Sequence, residues 1–117
     1  MNVSNLEITK AVEAELTSAN EKHPPFASLH EAYAVIKEEL EEAEYELGEA
    51  CDSLEGAWGC IKQDNAEDAL KHLGLLGIRA KRLAMEACQV VAMCDKAEQS
   101  LRGEEKYHRH KEVKNRG

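Results

Sequence analysis

The sequence predicts an all-α protein, an antiparallel bundle of three main helices whose four-helix core is completed by oligomerisation. Three observations predict this. Ala, Leu and Glu are abundant while aromatic residues make up only 4% of the chain, a helix-forming composition. Two long stretches place apolar residues at intervals that alternate four and three, the period of helices packed along a seam. Pro24-Pro25 and Asp64-Asn65 interrupt the pattern at two points, as turns would.

The first helix is expected over residues 5–22. Ser4, with Glu7 three residues on, forms a capping box. His23-Pro24-Pro25 ends it, because proline disfavours helix in the residue before it and cannot donate to the ladder.

The second helix is expected over residues 28–63, with Ser28 and Glu31 as a second capping box. Its seam reads Ile36, Leu40, Ala43, Leu47, Ala50, Leu54, Ala57 and Ile61. One edge is Leu or Ile and the other mostly Ala, which lets a partner helix approach closely. Gly48, Gly56 and Gly59 weaken its later part and make residues 56–65 a candidate break.

The third helix is expected over residues 66–102. Its seam is Ala69, Leu73, Leu76, Ala80, Leu83, Ala87, Val90, Cys94, Ala97 and Leu101. Gly74 and Gly77 are candidate kinks. Two matching seams joined by a short turn make an antiparallel hairpin. The first helix can cover only one side of it, so the excess apolar stripe predicts a homo-oligomer, dimer or tetramer. At 117 residues the chain has the size of one domain. Residues 1–102 are read as that domain and residues 103–117 as a polar tail without apolar period, frayed or disordered.

The formal net charge of −8 argues against nucleic acid as a partner, since phosphate binding needs a basic face. No apolar run approaches the ~18 residues of a membrane span. The start of the chain, MNVSNLEITKAVEAEL, carries acids within its apolar pattern and does not read as a secretory signal. Cys51, Cys60, Cys88 and Cys94 form no CxxC pair. They read as small buried hydrophobes in a reducing compartment, so a cytoplasmic location is expected.

The stretch IKEELEEAEYELGEA, residues 36–50, carries the candidate chemistry. Glu39 and Glu42 are three apart and share a helix face. With Leu40 at an a position, Glu39 is at g and Glu42 at c. On the third helix Glu86 and Gln89 hold the same g and c positions. Antiparallel packing can bring the two flanks together, giving three carboxylates and one amide around one groove. Clustered carboxylates repel and raise each other's pKa unless a cation sits between them. Mg²⁺ suits that role, because it takes hard oxygen ligands and leaves positions for phosphates. The competing reading is a solvated acidic flank.

Arg82 and Lys96 share a helix face with Glu86 and Gln89 and are candidate phosphate contacts. The competing reading for Arg82 is a surface pair with Glu86 at i,i+4. His30 reads as a water-facing residue of the capping turn. Tyr33 and Trp58 read as helix packing rather than base stacking. Glu105 and His108 form the single E-x-x-H of the chain, and a di-iron bundle needs two on core helices.

Glu38-Glu39-Leu40-Glu41-Glu42 followed by Glu86-Ala87-Cys88-Gln89 resembles the signature of the MazG-like all-α nucleoside triphosphate pyrophosphohydrolases, E-E-x-x-E on one helix and E-x-x-D on the next. The runs FASLHEAYAVIKEELEEAE, from Phe26, and EACQVVAM, from Glu86, also look like the small phage and prophage members. The resemblance covers roughly residues 26–98. It implies Mg²⁺-dependent hydrolysis of a nucleoside triphosphate to the monophosphate and pyrophosphate. Glu39, Glu42, Glu86 and Gln89 would be metal ligands, and Glu38 a catalytic residue that either joins them as a ligand or helps to position water. Gln89 stands where the family has an acid, which implies weaker metal binding. The alternative is a family member without turnover that binds a nucleotide or a protein.

Overall fold

The computed structural model describes residues 3–102. The tail expected from Gly103 onward, with Glu105 and His108, lies outside the described residues. Three helices follow in order: α1, Asn5–Lys22; α2, Leu29–Lys62; and α3, Ala66–Ala97, continued by a π-helical turn, Glu98–Arg102. Among the described residues there is no strand, and no helix is long and apolar enough to cross a membrane.

The caps form where the sequence places them. Ser4 Oγ accepts from the Glu7 N–H at 3.1 Å, satisfying one of the orphan donors of the first turn. At the other end of α1, His23 is extended (φ −137°) and its N–H closes on the Ala19 carbonyl. Ser28 Oγ accepts from the Glu31 N–H at 3.1 Å, and the Glu31 carboxylate accepts from the Ala27 N–H at 3.4 Å.

α2 stays helical through Gly48, Gly56 and Gly59 to Lys62, and α3 stays helical through Gly74 and Gly77. The chain reverses at residues 63–65. Asp64 adopts φ 54°, a left-handed conformation that Asp tolerates better than most residues. The Asn65 N–H reaches the Cys60 carbonyl at 2.9 Å, and Asn65 Oδ1 accepts from the Asp68 N–H at 3.1 Å, capping α3. The regular helix expected to continue to residue 102 instead ends at Ala97. Over the next five residues the turn widens, and there Ser100 Oγ accepts the Phe26 N–H at 3.1 Å.

Contacts divide the chain into two compact units. One combines α1, the first ten residues of α2 and the end of α3. Its buried apolar residues are Val12, Phe26, Ala32 and Ala92. Lys96 is buried with them, its ammonium 5.1 Å from the centroid of the Phe26 ring. Burying a lysine stem while the charge meets a ring face is a favourable compromise.

The other unit, Glu39–Ala87, is the helical hairpin. Its contact row on α2 is not the one expected. Ala43, Ala50, Ser53 and Ala57 are buried and Glu39, Glu46 and Cys60 half-buried, whereas Leu40, Leu47, Leu54 and Ile61 are 49–55% exposed. On α3 the row is Ala69, His72, Leu76, Arg79, Leu83 and Glu86, while Leu73, Ala80 and Ala87 are exposed. Both helices are turned by about half a heptad step from the expected seam. On α2 the contact falls on the alanine edge, where side chains are short, and the leucine edge is displaced to one side; on α3 it includes Leu76 and Leu83, and Ala80 and Ala87 are displaced. Gly56 belongs to this approach, because a Cβ there would meet the His72 ring at 2.7 Å.

The cysteines were expected to be buried. Cys51 and Cys94 are exposed and Cys60 and Cys88 half-buried, all as free thiols. Tyr33 and Trp58, expected in helix packing, are 67% and 57% exposed, with the Lys62 ammonium 5.6 Å from the Trp58 ring centroid.

Candidate metal centre

The centre lies within the hairpin unit and follows from the turned seam. Glu39 of α2 and Glu86 of α3 occupy the contact row itself rather than its flank, and both are half-buried. Glu42 stands one turn on from Glu39 and is exposed. The three carboxylates each bring an oxygen within 4.8 Å of the others. The sequence spacing thus leads to a real convergence of the three acids.

Electrostatics at the centre are strained in the direction expected of crowded acids. The Glu86 carboxyl is pushed up to about 7 from the usual 4.5. Burial is the largest cause. A carboxyl–carboxylate hydrogen bond with Glu42 is next, followed by the negative charges of Glu42, Glu39 and Glu46. At neutral pH Glu86 is therefore protonated for part of the time.

The layer one heptad further along α2 repeats the pattern with one change. Glu46 and Glu49 stand seven residues after Glu39 and Glu42, and Arg79 stands seven residues before Glu86. Arg79 Nη1 is 3.5 Å from Glu46 Oε2 and Arg79 Nη2 is 3.9 Å from Glu49 Oε2. The second layer is two carboxylates closed by a built-in cation. In the first layer the third position is a carboxylate instead. The contact between Arg79 Nη1 and Glu46 Oε2 is an ion pair without a hydrogen bond, and Glu46 Oε2 and Arg79 Nε are both buried with no hydrogen-bond partner.

Arg79 was missed in reading the sequence, which singled out Arg82. The available signal was heptad spacing: Arg79 repeats the position of Glu86, whereas Arg82 repeats that of Gln89. Arg82 is exposed on α3. Glu38 is exposed on α2, and Gln89 is half-buried on α3. These two residues belong to the other unit, as does Lys96, whose ammonium faces the Phe26 ring. His30 is exposed in the first turn of α2, as expected.

The donor set fits a small hard cation. Octahedral Mg²⁺ with oxygen ligands at about 2.1 Å holds neighbouring ligands about 3 Å apart and opposite ones about 4.2 Å apart. Carboxylate oxygens within 4.8 Å of one another need only small side-chain rotations to meet that geometry. Comparison with known protein families, with characterised proteins and with solved structures finds no match.

Proposed function

We propose that this protein is a MazG-like, Mg²⁺-dependent pyrophosphohydrolase that converts a nucleoside triphosphate to its monophosphate and pyrophosphate. The observation that carries this reading is the contrast between the two heptad layers. Where Glu46 and Glu49 have Arg79 between them, Glu39 and Glu42 have Glu86. An acid in the place of the neutralising arginine raises the cost of the cluster unless a cation binds there.

In this reading Glu39, Glu42 and Glu86 hold the metal from two antiparallel helices. A bound Mg²⁺ supplies charge to offset the substrate phosphates and makes a coordinated water more acidic. Glu86 would have to lose its proton to serve as a ligand, which would couple metal binding to pH. The roles of Glu38 as a water-positioning acid and of Gln89 as a neutral fourth ligand rest on the sequence resemblance. So does any phosphate contact by Arg82 or Lys96. The self-association expected from the apolar excess belongs to the same reading, as does a cytoplasmic location.

A second reading is a helical protein of this type that binds nucleotide without turning it over. It is favoured by Gln89, a neutral amide where the resemblance calls for an acid. Release of pyrophosphate from a panel of nucleoside and deoxynucleoside triphosphates, with and without Mg²⁺, separates the two. Turnover that is lost in Glu42→Gln and Glu86→Gln supports the enzyme. Mg²⁺-dependent nucleotide binding without release supports the binder. Neither binding nor release with any triphosphate removes the nucleotide reading altogether.

A further inference from the structure

We infer that Arg79 sets the number of metal ions the hairpin takes: its guanidinium stands where a second divalent ion would sit, so the chain binds one ion and not two. The inference rests on the metal reading of Glu39, Glu42 and Glu86 proposed above, and not on the nucleotide reading.

It starts from a repeat within the hairpin. Glu39, Glu42 and Glu86 each have a counterpart seven residues nearer the turn, at Glu46, Glu49 and Arg79. Seven residues are close to two helical turns, so each counterpart keeps the face of the original and lies about 10 Å along the axis. In an antiparallel pair the counterparts on both helices move toward the same end, and so they meet as the first set does. The contacts of Arg79 with Glu46 at 3.5 Å and with Glu49 at 3.9 Å show this meeting. The hairpin thus twice draws two carboxylates of α2 against one side chain of α3. In the second layer the cation that such a frame gathers is visible, because the chain supplies it.

Charge decides what each layer accepts. Fully ionised, the first layer carries three negative charges. In the second, two carboxylates and one guanidinium leave one negative charge. A divalent ion entering there meets a like charge at contact distance and only two carboxylates to replace its water, which small hard cations give up reluctantly. Displacing Arg79 is no easier, because its side chain is only 22% exposed and its charge is not lost at any ordinary pH. Among the described residues, Glu39, Glu42 and Glu86 are the one group of acids close enough to share an ion. The two layers also lie within each other's field. Burial, Glu42 and Glu39 push the Glu86 carboxyl upward, and Glu46 of the second layer adds to them. Loss of the Arg79 charge therefore makes the first layer more attractive to a cation as well.

Mn²⁺ takes the same oxygen ligands as Mg²⁺, and the paramagnetic signal of the free ion counts what is bound. The unaltered full chain is expected to bind one Mn²⁺. Arg79→Lys keeps a cation in the second layer and is expected to bind one. Arg79→Glu repeats the three-acid arrangement and is expected to bind two, the first several-fold more tightly than in the unaltered chain. Circular dichroism checks that helix is retained. If Arg79→Glu loses its helix without metal, Arg79→Gln takes its place, and more than one ion per chain supports the inference. Two ions in the unaltered chain overturn it. So does a single ion in a folded Arg79→Glu or Arg79→Gln, because the arginine then excludes nothing. No Mn²⁺ on the unaltered chain removes the metal reading itself, and this inference with it.

Discussion

Arg79 stands between Glu46 and Glu49, 3.5 Å from a carboxylate oxygen of Glu46. At the corresponding position beside Glu39 and Glu42 the sequence has Glu86. Removing the guanidinium should expose the instability of its layer. Arg79→Met should lower stability by about 1–3 kcal/mol at pH 7, since it leaves half-buried acids without their cation. The loss should shrink in the Arg79→Met/Glu46→Gln double variant. Urea denaturation of the four proteins of the cycle measures this. A full-sized loss that persists in the Glu46→Gln background would assign the effect to lost packing by the arginine stem.

Glu86 should make the metal-free protein less stable as pH rises. Its carboxyl titrates near 7 in the folded chain against 4.5 for the free group. Below 4.5 both states are protonated and the group is neutral in its effect. Between 4.5 and 7 the folded state holds the proton more tightly than the unfolded one, so stability declines across that window. Above 7 the penalty is complete. Glu86→Gln should therefore flatten the pH dependence between 4.5 and 7.5 when followed by urea denaturation in EDTA. Parallel curves for the two proteins would show that Glu86 titrates normally.

Mg²⁺ should reverse that penalty. A ligand that binds only the folded state stabilises it by about 1.4 kcal/mol at ten times its Kd. In a chain of this size that raises the melting temperature by roughly 4–8 °C. The rise should be larger at pH 8 than at pH 6, because the bound carboxylates must be deprotonated. Glu42→Gln should abolish most of it. An equal response in Glu42→Gln and the unaltered chain would place Mg²⁺ somewhere else.

Gln89→Asp tests the resemblance itself. Without metal the added acid should cost a few tenths of a kcal/mol through repulsion with Glu86 at i−3. With millimolar Mg²⁺ the melting temperature should rise further than that of the unaltered protein, and any pyrophosphate release should rise with it. Identical Mg²⁺ responses would mean that Gln89 does not face the metal and that the second motif is misaligned.

Two glycines of α2 should respond oppositely to alanine. At Gly59 a Cβ would meet nothing within 4 Å, so Gly59→Ala should stabilise by about 0.5–1 kcal/mol through helix propensity. At Gly56 the Cβ would lie 2.7 Å from the His72 ring. Gly56→Ala should lose that gain and be destabilising unless His72 is also replaced by alanine. Thermal melts of the three variants decide it.

The sequence by itself determined the helices, their caps and the turn. Ser4, Ser28 and Asn65 carry side-chain oxygens that satisfy local N–H groups, and Pro24-Pro25 cannot continue a helix. These are interactions over three or four residues, so they are written locally. Alternating four-three spacing also determined that α2 and α3 pack as a hairpin, and that Glu39, Glu42 and Glu86 lie on matching positions. Only the tertiary structure decided which edge of each seam makes the contact. The α2 sequence offers an alanine edge and a leucine edge with the same period, and period alone does not choose between them. On α2 the short side chains Ala43, Ala50 and Ala57 went inward and Leu40, Leu47 and Leu54 did not, whereas on α3 Leu76 and Leu83 lie in the contact row and Ala80 and Ala87 do not. That half-step turn is also what carried Glu86 into the contact row, removed water from its carboxyl, and put Arg79 rather than Arg82 against the neighbouring acids.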